Sequence, residues 1–474
     1  MSPARPRTRL LNRTDEVRRL EAAWKACAHG PQFVAVQGRR RVGKTFLLAH
    51  FAAGRRGMFF GATQQAEATE LQRLHDAVLR DLGPQVAALT GGGFQSWSAA
   101  LKFFFALAAD QPTTVVLDEI PYLTQSTQGF GSILQYEWDH RPRHSKLLLI
   151  TSGSAIGTMT ALFGPRGPLR NRPTETLRIE PLSAHEARAF LPRLPAAEFF
   201  EAYAACGGYP LHLERWDPHR STDQNLLSLS GSAGGILLDD AQSMLREELA
   251  TTATHAQVMS AIGRGRTTYS RISSELGGKS IAYSLSLLEQ AGFVRKARPL
   301  SAPKGARAFY EIGDAYLNFW YRVLASDEAL IEAGQGAAVL RRRHEEWQKH
   351  VGSVFEEAAR DHARRAVVAG ILPKDLLVGR WWRHDHGVDV EIDVLGIQGN
   401  RTCLIGGVKW TAAPLGLKAL LELQRWSGVV PSPAAEISYV LWSRGGVDPE
   451  TRRRGALSYT PADMLRAVPQ GSLL

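Results

Sequence analysis

The sequence predicts an α/β chain: a parallel, helix-covered sheet toward the N-terminus, a helical middle, and a second α/β unit toward the C-terminus. Three observations carry this. Apolar runs such as Phe33–Gln37, Thr113–Leu117 and Lys146–Thr151 lack polar alternation and are separated by helix-like stretches, as strands buried on both faces require. A glycine-bearing segment, Gly38–Thr45, lies between the first run and an apolar helical one. Val388-Asp-Val-Glu-Ile-Asp393-Val alternates aliphatic and carboxylate side chains, the period of a strand with one charged face.

In order, Gly57–Phe60 reads as a brief second strand, and Ala66–Leu82 and Trp97–Ala109 as helices. Ala184 to Trp216 is helical, broken at Gly207-Gly208-Tyr209-Pro210. His255–Ile312 reads as three helices and two strands, Ala315–His344 as a helical connector, and Val354 onward as the second α/β unit. At 474 residues the chain exceeds one ordinary core.

The apolar fraction of 44% and charged fraction of 22% are those of a globular protein. No stretch approaches the ~18 consecutive apolar residues that span a bilayer. The basic start MSPARPRTRLLNR is followed by no apolar run of signal-peptide length, so no membrane and a cytoplasmic location are expected. Cys27, Cys206 and Cys403 are widely separated and read as free thiols. The net charge of +11 and pI near 9.7 suit a phosphate-bearing partner; codon bias toward arginine accounts for them equally well.

Gly38-Arg39-Arg40-Arg41-Val42-Gly43-Lys44-Thr45 matches GxxxxGK(S/T) between a strand and a helix, the P-loop context. Its glycines let backbone N–H groups turn around phosphate oxygens, and the helix start adds donors. Lys44 is placed for the β- and γ-phosphates of ATP and the Thr45 hydroxyl for Mg²⁺. Arg39, Arg40 and Arg41 either touch phosphate or face solvent, with solvent expected for at least two. Thr113-Thr-Val-Val-Leu-Asp118-Glu119 is a strand ending in two carboxylates, a Walker B pattern. Asp118 is assigned to the magnesium and Glu119 to the attacking water. Lys146–Ser154 is a third strand ending in small polar residues, where Ser152 or Ser154 is a candidate γ-phosphate sensor or an ordinary strand-end serine. The first domain is therefore expected to be RecA/AAA-like.

With these elements in order, the sequence resembles the archaeal-type AAA ATPases, a clade near the STAND-like NTPases. Leu11-Asn12-Arg13-Thr-Asp-Glu16 resembles the box before the family's first helix, and Asp118-Glu-Ile-Pro-Tyr-Leu123 its extended Walker B. Gly167-Pro-Leu-Arg170-Asn-Arg172-Pro-Thr resembles the stretch after the third strand, where the resemblance implies an arginine finger at Arg172; among Arg166, Arg170 and Arg178 it reads equally as a solvated arginine. Cys206-Gly-Gly-Tyr-Pro210 resembles the lid motif. The expected organisation is an ATPase domain at 1–180, a helical lid at 181–245, a winged helix-turn-helix at 246–315, a connector at 316–350 and a C-terminal α/β domain at 351–474.

The winged-helix expectation rests on Thr268–Leu276, closed by Gly277-Gly278, and on Ile281, Leu285 and Leu288 at i, i+4, i+7. Tyr283, Ser284 and Ser286 are assigned to the opposite face, and Phe293–Arg298 and Ala308–Ile312 to wing strands. Arg264, Arg266, Arg271, Lys279, Arg295, Lys296, Arg298, Lys304 and Arg307 face only Glu275 and Glu289 here. This favours double-stranded DNA as a partner, chiefly through the wing. Winged helices also serve protein contacts and intramolecular docking.

The C-terminal pattern resembles the restriction-endonuclease-like PD-(D/E)XK fold. Asp389, Glu391 and Asp393 share one strand face, and Leu404-Ile-Gly-Gly407-Val-Lys409-Trp is a second apolar strand with a lysine. The position two before that lysine, acidic in active members, is Gly407. Asp393, Lys409 and Glu356 or Glu357 remain as a degenerate nuclease site, kept for binding or assembly. His384, Asp385 and His386 are a polar loop or a metal site.

The expected function is an ATP-dependent switch that drives the lid, winged helix and nuclease-like domain, with self-association as a further expectation. Its rivals are an ATP-regulated DNA nuclease and a non-hydrolysing scaffold holding ATP.

Overall fold

The structure, a computed structural model, describes residues 10–249, 253–301, 308–385 and 388–466. The chain divides into two compact units: Met1–Pro181 with Met244–Thr251, and Leu182–Ser243 with Thr252–Leu474.

In the first unit, β1 Gln32–Gly38, β2 Gly57–Gly61, β3 Thr113–Asp118, β4 Leu147–Gly153 and β5 Glu175–Ile179 form one sheet in the order β2-β3-β4-β1-β5. Every pairing is parallel. β3 and β4 are buried at every residue, which is why they read as unbroken apolar runs. Phe33, Leu74, Trp97, Phe104, Leu117, Trp138 and Leu149 share one core. β5 and the helix Phe130–Asp139 were not expected. The Glu-Thr-Leu-Arg-Ile of β5 is an edge strand with two of its five residues charged, so its composition resembles a loop.

The second unit begins with short helices, among them Ala196–Cys206 and Pro210–Arg215. Helices Ala253–Gly263, Tyr269–Glu275 and Ala282–Gln290 lead into an antiparallel hairpin of β6 Val294–Ala297 and β7 Phe309–Ile312. Ile281, Leu285 and Leu288 are buried, but so is Ser284, contrary to expectation. It stands three residues after Ile281 and four before Leu288, on their own helical face. Lys304 and Arg307 lie outside the described residues.

The connector is a series of short turns, including π-helical ones at Trp320–Leu324 and Ile331–Gln335. Two expected boundaries fall inside helices. Ile236–Leu249 runs through 245/246, and His344–Val368 through 350/351; unbroken helical periodicity conceals a boundary of this kind. β8 Leu376–Asp385, β9 Val388–Gln398, β10 Arg401–Lys409, β11 Pro433–Ser443 and β12 Leu457–Tyr459 then form a mixed sheet, order β12-β11-β10-β9-β8. β8, β9 and β10 are antiparallel; β10, β11 and β12 are parallel. Helix Leu417–Trp426 joins β10 to β11 and buries Leu420 and Leu423 with Ile392, Ile405 and Leu441. All three cysteines are free. Among the described residues no helix is long and apolar enough to cross a membrane.

Candidate functional site

β1 ends at Gly38, where a Cβ would lie 2.3 Å from the Ile179 carbonyl oxygen of adjacent β5; only glycine fits. Arg41 and Gly43 take left-handed backbone, φ 66° and 95°, and turn the chain onto helix Lys44–Ala52. The Lys44 ammonium is buried and donates to the carbonyls of Gly38 at 2.8 Å and Arg39 at 2.9 Å. Thr45 is exposed and its hydroxyl donates to Asp118 Oδ2 at 2.7 Å. Val42 is buried, and its carbonyl accepts from Arg13 at 2.8 Å. Arg13 is itself buried and paired with Glu16 at 3.0 Å. Sequence reading found the box around Arg13 but not its role, because no local period links residues 29 apart.

The loop arginines depart from expectation. Arg39 is buried, Arg40 and Arg41 are half-buried, and all three have interaction partners. A loop folded between two strands and a helix start leaves little open surface for them.

Asp118 is buried, between the Thr45 hydroxyl on Oδ2 and the Ser152 hydroxyl on Oδ1. Glu119 takes left-handed backbone, φ 55° and ψ 48°, and its Oε2 accepts from the Ser154 N–H at 3.1 Å and hydroxyl at 2.9 Å. The strand order explains both contacts. β4 lies between β1 and β3, so its C-terminal serines come up beside the two acids. A hydroxyl and a carboxylate this close form a hard-oxygen pair suited to Mg²⁺, and the turned loop suits phosphate. Arg172 instead ion-pairs with Asp139 at 2.8 Å and reaches the Arg170 carbonyl at 3.1 Å.

A second polar site lies in the second unit, a cavity of about 700 Å³. Glu356, Asp393 and Lys409 all line it, with Glu391, Arg360 and Arg380. Asp393 Oδ2 accepts from the Val408 N–H at 2.8 Å, and buried Arg360 donates to the Asp393 carbonyl at 2.9 Å. Burial, then the neighbouring Asp393, push the Glu356 carboxyl up to about 7. Burial also raises Asp393, opposed by the Val408 N–H and Lys409. Burial would raise Glu357 too, but Arg360, Arg295 and Arg364 outweigh it and hold that acid at about 2. Asp393 thus raises Glu356, whereas the arginines lower Glu357.

Gly407 is not a gap in this cavity. A Cβ there would lie 3.3 Å from Leu423 and 3.5 Å from Leu441, in the apolar layer beneath the helix Leu417–Trp426. A side chain at 407 would meet this apolar layer, which spacing to Lys409 does not reveal. Among the described residues no group of three or more His, Cys, Asp or Glu side chains is arranged to hold a metal. His386 and the side chains of His384, Asp385 and Asp389 lie outside the described residues.

Residues 10–216 match the model of an ATPase domain predominantly from Archaea, and residues 320–420 a model of archaeal and bacterial proteins of unknown function. An uncharacterized protein of Methanocaldococcus jannaschii is 24% identical over 411 residues, covering 84% of this chain and 87% of that protein. The Walker-type ATPase of Pyrococcus abyssi superposes with a TM-score of 0.50 at 18% identity, over 68% of this chain and 99% of that one. The first match supports an ATPase domain over residues 10–216, and the structural likeness a P-loop ATPase fold.

Proposed function

We propose that the chain is an ATP-dependent molecular switch whose first unit hydrolyses ATP with Lys44, Thr45, Asp118 and Glu119. The observation that supports this most directly is the Thr45–Asp118 contact at 2.7 Å, which joins the end of the loop to the end of β3. Bound ATP with Mg²⁺ would supply the phosphoanhydride and its countercharge. Gly38–Thr45 would direct backbone N–H groups at the phosphates, and Lys44 would exchange its loop carbonyls for phosphate oxygens. Thr45 and Asp118 would hold the ion, and Glu119, oriented by Ser154, would accept a proton from water. Arg172 would act as a finger only by leaving Asp139, within one chain or across two copies. Steady-state phosphate release tests the proposal: wild-type turnover, abolished in Lys44→Ala and Glu119→Gln, is expected. Tight ATP binding with no phosphate release from the wild type would select the scaffold instead.

In this proposal 181–245 serves as the lid, and the three helices with the β6–β7 hairpin form a winged helix that meets duplex DNA. The C-terminal α/β unit is proposed to be a PD-(D/E)XK-like domain kept for binding. The convergence of Glu356, Asp393 and Lys409 in one cavity favours the family likeness, and the surrounding arginines disfavour cleavage. Plasmid nicking with Mg²⁺ or Mn²⁺, lost in Asp393→Ala, would select the nuclease.

A further inference from the structure

The seven described basic residues around the three helices and hairpin are not equally available. The hairpin is committed to the C-terminal sheet. Beyond β6, the Leu300 N–H donates to the Arg380 carbonyl at 2.8 Å, and Phe309 packs on Trp382 at 5.2 Å. Arg295 pairs with Glu311 and Glu357, both at 3.3 Å, while Arg380 pairs with Glu311 at 2.7 Å and also with Glu391. Lys296 stands over the Tyr310 ring at 5.4 Å. Arg295 and Glu311 of the hairpin line the carboxylate cavity, while Arg298 beyond β6 is exposed.

The helices present a different surface. Arg271 and Lys279 are exposed. Arg266 and Arg271 line a shallow hollow with Ser270 and Ser274, a pairing of cations and hydroxyls that suits phosphate oxygens. Tyr283, 76% exposed, stands at the start of the next helix. The acid in the hollow is Glu275, which binds Arg264 at 2.5 Å and Arg266 at 2.7 Å.

Sequence discrimination needs side chains that match base edges, chiefly Arg, Lys, Asn and Gln. The exposed residues of Ala282–Gln290 are Ala282, Tyr283, Ser286 and Gln290, and the Gln290 amide donates to Ser286 at 3.3 Å. We infer that duplex DNA is engaged by Arg266, Arg271 and Lys279, on and beside the helix Tyr269–Glu275, and not by Arg295 and Lys296 of the hairpin, through its phosphates and with little sequence preference. Glu275 acts as a built-in competitor for two of the cations. The inference rests on the DNA-binding reading above.

Fluorescence anisotropy on the full chain, with two duplexes of unrelated sequence over a range of salt, tests it. Both duplexes should bind within about threefold of each other and weaken steeply with salt. Arg271→Ala with Lys279→Ala should weaken both about tenfold and make the salt slope shallower by about two. Glu275→Gln should tighten both severalfold, a gain that a structural defect would not produce. Arg295→Ala with Lys296→Ala should leave binding within about twofold. A hundredfold preference for one sequence, or loss in the hairpin variant but not in the helix variant, would overturn it. If the wild type hydrolyses ATP but binds neither duplex, the DNA reading itself fails, and this surface with it.

Discussion

The P-loop site and the C-terminal cavity both gather carboxylates, but they hold them with opposite chemistry. Asp118 and Glu119 are held by neutral donors, the hydroxyls of Thr45, Ser152 and Ser154 and one backbone N–H. None of these donors carries a charge of its own. In the cavity, Glu357, Glu311 and Glu391 are held by Arg295, Arg360, Arg364 and Arg380, so that charge is spent internally. Burial, and then the neighbouring Asp393, disfavour the ionised form of Glu356. A site kept uncompensated can receive an ion; a self-neutralised one serves structure first.

The largest expected effect tests the first half of this contrast. Glu119→Gln should lower ATP turnover by a hundredfold or more while leaving ATP affinity intact, measured by phosphate release and calorimetry. Turnover at the wild-type rate would remove Glu119 from the chemistry.

Next comes Gly407→Glu. If this position faces Leu423 and Leu441, the change buries a carboxylate in an apolar layer, and urea unfolding should show a loss of about 3 kcal/mol or more. If the position instead opens on the cavity, the variant will fold normally and gain affinity for Mn²⁺, which would break the comparison.

A smaller effect is expected from Glu356→Gln, and its sign depends on pH. Because the folded state raises this acid from 4.5 to about 7, it holds a proton that the unfolded chain releases. Stability therefore falls as pH rises through that window. The variant should be more stable than wild type by about 1–2 kcal/mol at pH 8 and unchanged at pH 4. Thermal melts at the two pH values would show it, and equal shifts at both would refute the assignment.

The smallest effect belongs to Glu275, whose pairs with Arg264 and Arg266 are part-exposed. Glu275→Gln should change stability by less than about 1 kcal/mol. A larger loss would mean that the pair is structural.

The legibility of the two sites follows from where their residues lie in the chain. Gly38–Thr45 and Asp118-Glu119 are contiguous, and their chemistry requires a fixed local order, so they were readable. The burial of Ser284 was misread because two of its neighbours on the same face lie at i−3 and i+4, which a list of apolar positions omits. Arg13 was seen only as part of a box, since its partner is the carbonyl of Val42, and a carbonyl is carried by every residue type. The ion pairs that hold the hairpin join Arg295 to Glu357 and Arg380 to Glu311, separations with no period to detect.

By itself the sequence determined the phosphate-holding turn, the acid pair at the end of β3, and the alternation of β9. Each is a short-range pattern imposed by backbone geometry. Only the tertiary structure decided that β4 lies between β1 and β3, which brings Ser152 to Asp118 and Ser154 to Glu119. It alone decided that Gly407 faces Leu423 and that Arg295 of the hairpin is already paired. Strand order and facing are settled by packing among distant segments, and no local spacing encodes them.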